Sequence, residues 1–110
     1  MERRTSLRGR TDVAVTTLVG RKRRKVRAVE LSGNGIVLDQ RRANQDGHHP
    51  LFMKLFIQLP ERQRSIFAIA RPVRSYGTQQ ALRFVEISDA DRLNLAEHLD
   101  VLHRRGTRLS

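Results

Sequence analysis

Cysteine is absent from all 110 residues, which excludes disulfides, thiolate zinc sites and a cysteine nucleophile. Aromatic side chains are scarce, at 5%. No stretch approaches the roughly 18 consecutive apolar residues of a membrane span. The opening M-E-R-R-T-S-L-R lacks the apolar segment of a secretory signal. Acidic residues are few: 11 Asp and Glu stand against 22 Lys and Arg, a net charge of +11. These absences leave a soluble, cytoplasmic, single-domain protein, and the 38% hydrophobic residues suffice for one modest core.

The positive charge is uneven. Residues 1–28 hold ten basic side chains, including the run Gly20 to Lys25, G-R-K-R-R-K, against Glu2 and Asp12. Such a field concentrates anions, whether phosphates, nucleic acid or an acidic membrane. Arginine predominates over lysine, and its planar fork matches phosphate oxygens and purine edges.

Thr11 to Val19 is rich in β-branched residues and predicts a strand, with Gly20 to Lys25 as a charged connection. Val26 to Leu31 and Ile36 to Leu38 predict strands on either side of S-G-N-G, and 41–50 reads as a polar loop. Phe52 to Leu59 is a further strand, and Ser65 to Tyr76 a long one. Pro72 within it calls for an edge or a bulge. Ala81 to Ile87 alternates as a short strand. The period then changes: Ser88 is an N-cap with Asp91 three residues on, and Leu95, Leu99 and Leu102 form a helical stripe. His103, Arg104 and Arg105 suit the helix C-terminus, and Gly106 can end it. About six strands and a closing helix make a small antiparallel barrel.

Catalysis finds no support. Asp39, Asp46, Glu61 and Glu86 are scattered, and no nucleophile elbow or phosphate-binding loop is present. His98 and His103 are five apart, whereas ligands on one helix face favour three or four, so neither a metal nor a cofactor is expected. A nucleic-acid partner suits the charge. However, stacking platforms need exposed aromatics, and the four phenylalanines lie in strand runs that read as core.

Two motifs remain. Arg4 and Arg8 form R-x-x-x-R before the first strand, and Glu30, Ser32 and Gly35 form E-x-S-x-x-G. Further along come L-P at Leu59–Pro60, R-P-V-R at Arg71–Arg74 and A-L-R-F at Ala81–Phe84, followed by the helix. This ordered set resembles the PilZ family of bacterial cyclic di-GMP receptors, whose motifs are R-x-x-x-R and [D/N]-x-S-x-x-G. The resemblance covers nearly the whole chain. It implies a mostly β fold, a six-stranded antiparallel PilZ-like barrel with a C-terminal α-helix. Residues 1–10 would be a flexible basic leader and 11–106 the barrel domain with its helix.

The resemblance also implies a ligand, cyclic di-GMP, bound by Arg3, Arg4, Arg8, Glu30, Ser32 and Gly35. An arginine can fork onto guanine O6 and N7 or stack on the ring. Glu30 would accept from guanine N1–H and N2–H, Ser32 would offer a hydroxyl, and Gly35 would let the ligand approach the backbone. Glu30 departs from the family's Asp or Asn, and Ala81 from its frequent Gly. The resemblance implies a stand-alone receptor that signals through a bacterial effector protein. A PilZ-like adaptor that no longer binds nucleotide and a basic nucleic-acid-binding barrel are the alternatives.

Overall fold

The computed structural model describes residues 8–40, 50–60 and 64–109. Six strands precede one helix: β1 (Arg8–Val19), β2 (Lys22–Ser32), β3 (Gly35–Asp39), β4 (Met53–Gln58), β5 (Ile66–Tyr76), β6 (Gln79–Ile87) and α1 (Asp89–Leu109). Every strand pairing is antiparallel, and the order β1-β2-β3-β6-β5-β4 closes on itself. The expected mostly β architecture is therefore the observed one. Among the described residues, no helix is long and apolar enough to cross a membrane.

Alternation builds the interior. Val13 and Val15, Val26 and Ala28, Ile36 and Leu38, Leu55 and Ile57, and Ala68 and Ala70 are all buried. Each pair is spaced by two, as a strand with one buried face requires. Leu95 and Leu99 from α1 join this core, and Leu102 packs against it, so the helical stripe does what its period predicts. Ser88 caps the helix: its hydroxyl accepts from the Asp91 N–H at 3.1 Å. The Asp91 carboxylate accepts from the Phe67 N–H at 3.2 Å, which ties the first turn of α1 to β5.

Several expectations need correction. The charged run is mostly strand: Val19 pairs with Lys22, leaving a two-residue turn of Gly20 and Arg21. Gly20 has φ 62°, the conformation that tight hairpins demand at their first central position. The first strand starts at Arg8, so the last three residues of the expected leader are paired, Arg8 with Ser32, Gly9 with Leu31 and Arg10 with Glu30. The helix continues through Gly106 to Leu109, because an interior glycine weakens a helix by about 1 kcal/mol without ending it. The 41–50 loop lies outside the described residues except for Pro50.

The phenylalanines are not all core. On β4 and β5 the inward positions belong to Met53, Leu55, Ile57, Ile66, Ala68 and Ala70, so Phe56 and Phe67 fall on the outer face. There they are cross-strand partners with ring centroids 5.2 Å apart. Phe52 is 53% exposed and Phe67 36%. Phe84 alone packs against the core.

Near the start of β1 the register slips between Arg10 and Val13. Arg27 spans this irregularity: its Nε donates to Asp12 Oδ1 at 2.6 Å, and a terminal nitrogen donates to the Asp12 carbonyl at 3.0 Å. The hydrogen bond from Arg27 holds the Asp12 carboxyl below its ordinary 3.8. A depressed folded pKa means that this contact stabilises the fold above the unfolded value and is lost as pH falls through the folded one. Titration of the Asp12 carboxyl by NMR is expected to show a midpoint below 3.8 that returns upward in Arg27→Ala. An identical midpoint in both proteins would show that the pair does not persist in solution.

Candidate functional site

The S-G-N-G stretch joins β2 to β3, and Ser32 holds it. The Ser32 hydroxyl accepts from the N–H groups of Asn34 at 3.2 Å and Gly35 at 3.1 Å, and lies 3.4 Å from the Gly35 carbonyl. A short side-chain oxygen that bonds its own turn is what serine supplies here. The Asn34 carbonyl in turn accepts from the Phe84 N–H at 2.8 Å. The turn is thereby fastened to β6.

Gly35 has a structural requirement of its own. A Cβ built on it would lie 2.4 Å from the carbonyl oxygen of Leu82, which is backbone and cannot swing aside. Its missing side chain therefore admits β6. This packing role stands beside the ligand approach that the motif implies.

Glu30 reaches the same face through a bulge. Ala28 pairs with Leu38 and Glu30 with Val37, so Val29 is an extra residue against β3. Simple alternation from Ala28 would place Glu30 inward. The bulge instead leaves Ala28 and Leu31 buried while Glu30 and Ser32 are half-buried on the outside. The Glu30 carboxylate makes no hydrogen bond or ion pair with any described residue.

The register then sets two parallel rows across the barrel. One holds the pair Arg8–Ser32 and, across the turn in which Ser32 bonds the Gly35 N–H, the run Gly35, Arg83, Arg71; the next runs Arg10, Glu30, Val37, Ala81, Arg74. Small residues occupy the centre of both. Over that centre lies an open cavity of about 290 Å³, near the lower end of small-molecule sites at roughly 300–1,000 Å³. Gly35, Val37 and Ala81 form its floor. Glu30, Ser32 and Asn34 line one side, and Val73 and Arg83 the other.

Of the residues expected to bind ligand, Glu30, Ser32 and Gly35 line one cavity, and the backbone of Arg8 lies opposite Ser32. Arg3 and Arg4 lie outside the described residues. Sequence reasoning did not include Arg71, Arg74 or Arg83. R-P-V-R was visible, but the face on which each arginine lies depends on a bulge that local pattern does not reveal.

No family model and no curated protein matches the sequence. Similarity appears in solved structures. The Bacillus subtilis inhibitor of motility MotI/DgrA superposes with a TM-score of 0.74 at 22% identity, covering 98% of this chain and 53% of that one. The PilZ domain of YcgR from Escherichia coli, solved with c-di-GMP, gives a TM-score of 0.67 at 15% identity, covering 97% and 96%. The fold is PilZ-like. An uncharacterised Legionella protein, Lpg0364, gives 0.51 at 18% identity, covering 94% and 98%. The chain thus spans about half of MotI/DgrA and nearly all of the YcgR domain.

Within this PilZ-like barrel, Gly35→Ala tests the packing role directly. Overpacking against backbone costs on the order of 1–3 kcal/mol, so thermal unfolding of Gly35→Ala without ligand is expected to come at least about 4 °C lower. An unchanged melting temperature would show that β3 and β6 are not in this close contact.

Proposed function

We propose that this chain is a receptor for cyclic di-GMP that passes its signal to a partner protein. The observation that carries the reading is the convergence of Glu30, Ser32 and Gly35 on one cavity, with Arg8 in register beside Ser32. The E-x-S-x-x-G stretch thus lies beside the start of the first strand at Arg8, the second arginine of R-x-x-x-R. The likeness to the YcgR domain solved with c-di-GMP supports the same ligand.

The chemistry fits the residues. Cyclic di-GMP carries two phosphodiesters and two guanines. Arginine at position 8, with Arg3 and Arg4 preceding it, would clasp a guanine edge or a phosphate. The half-buried Glu30 carboxylate would accept from guanine N1–H and N2–H, with its extra methylene extending the reach of the family's Asp. Ser32 orients the N–H groups of the turn. Closure of the N-terminal arginine segment over the bound ligand would alter the surface that the partner reads.

One observation favours a second reading. Phe56 and Phe67 stand on the outer face of β4 and β5, so the scarcity of exposed aromatics no longer weighs against nucleic acid. Single-strand binding would use those rings for stacking and would fall steeply with salt.

Calorimetric titration at about 150 mM salt, where surface charges are substantially screened, separates the readings, with GTP and DNA as controls. Saturable binding of cyclic di-GMP is expected. Arg8→Ala should weaken it by more than about tenfold, the loss of one charge-assisted contact, with an unchanged circular dichroism spectrum. Native affinity in Arg8→Ala would overturn the site, and DNA binding without cyclic di-GMP binding would favour the second reading.

A further inference from the structure

The β5–β6 hairpin gathers three arginines beside the cavity. Arg71 and Arg83 are direct cross-strand partners, and Arg74 faces Ala81, two residues from Arg83 on the same side of β6. All three are exposed, and none of their guanidinium groups makes a hydrogen bond or ion pair with any described residue. Like charges directly opposite one another destabilise an antiparallel pair, so the arrangement works against the fold.

Position 74 is also on an unexpected face. Plain alternation would send Arg71 and Arg74 to opposite sides of β5. The register instead shifts between Pro72 and Arg74, with Val73 as the extra residue, and this returns Arg74 to the side of Arg71. Re-aiming a side chain is a recognised use of a bulge. Pro72 tolerates the position because β4 begins at Met53, opposite Ala70, so no β4 residue is paired beside Pro72 to receive its missing N–H. Val73 and Arg83 both line the cavity, across from Ser32; Arg83 on β6 is two strand spacings from β2, ~10 Å, and Val73 on β5 one spacing further.

We infer that Arg71, Arg74 and Arg83 form a second anion-binding wall, which holds one phosphate of a ligand seated on Gly35, Val37 and Ala81. The ligand's identity rests on the nucleotide reading above. The wall's chemistry, planar guanidinium forks on phosphate oxygens, holds for any phosphate-bearing ligand of that cavity. A bound phosphate also relieves the Arg71–Arg83 repulsion, so ligand binding and local stability are linked.

Two variants and one spectroscopic titration test the wall in the full chain. Arg71→Glu replaces a like-charge pair with an opposite-charge pair, so its melting temperature is expected to equal or exceed that of the native protein, while cyclic di-GMP affinity falls at least about tenfold. Arg83→Gln should lower affinity by roughly tenfold. Independently, the guanidinium Nε–H signals of Arg71, Arg74 and Arg83 should shift saturably when inorganic pyrophosphate is added. If pyrophosphate moves them while cyclic di-GMP does not bind, the wall stands and the nucleotide reading falls. If both variants bind cyclic di-GMP as tightly as the native protein, or neither probe moves the three signals, the wall is overturned.

Discussion

The barrel depends on the seam between β3 and β6. These strands are far apart in sequence, and the ring closes through their pairing, from Gly35 with Arg83 to Asp39 with Gln79. At its tightest point the seam admits no side chain, because the Leu82 carbonyl oxygen occupies the space that a Cβ on Gly35 would take. The Asn34 carbonyl then accepts from the Phe84 N–H, and Ser32 holds the turn that presents both groups. One short stretch therefore closes the barrel and forms one side of its cavity. Ser32 and Gly35 have structural reasons to be what they are, and these coexist with any contact to a ligand.

Two bulges decide what surrounds that cavity. Without the extra Val29, Glu30 would compete with Ala28 and Leu31 for the interior, and a buried carboxylate without a partner is costly. Without the extra Val73, Arg74 would leave the face that Arg71 and Arg83 share. Each bulge disrupts a ladder locally and places a charged residue on the same outer surface. A cluster of cations on a site that, among the described residues, is lined by no carboxylate beyond Glu30 is the kind of local conflict that marks function in an otherwise consistent fold.

Much of the fold was legible because its signals are short in range. β-Branched runs and period-two alternation marked the strands, and the i, i+4, i+7 leucines with Ser88 before them marked the helix. The charged run was less legible. Arg23, Arg24 and Lys25 look like a loop by polarity, yet a strand end that protrudes beyond the core can carry cations on both faces. The outward Phe56 and Phe67 are illegible for a related reason: between β4 and β5 the narrow barrel fills with methionine, leucine, isoleucine and alanine, which leaves those two rings outside. In the site, E-x-S-x-x-G was readable as a motif. The contribution of β5 and β6 was not, because it depends on long-range register and on a bulge that a single-strand pattern cannot show.

The central claim is that a phosphate-bearing nucleotide lies over Gly35, Val37 and Ala81, between the Ser32 turn and Arg83. A crystal structure of the protein grown with saturating cyclic di-GMP tests this most directly. The account predicts ligand density over that floor, with a guanine edge at Glu30 and phosphate oxygens within reach of arginine on both sides. Density on the Phe56–Phe67 face instead, or an empty cavity at saturation, would contradict it.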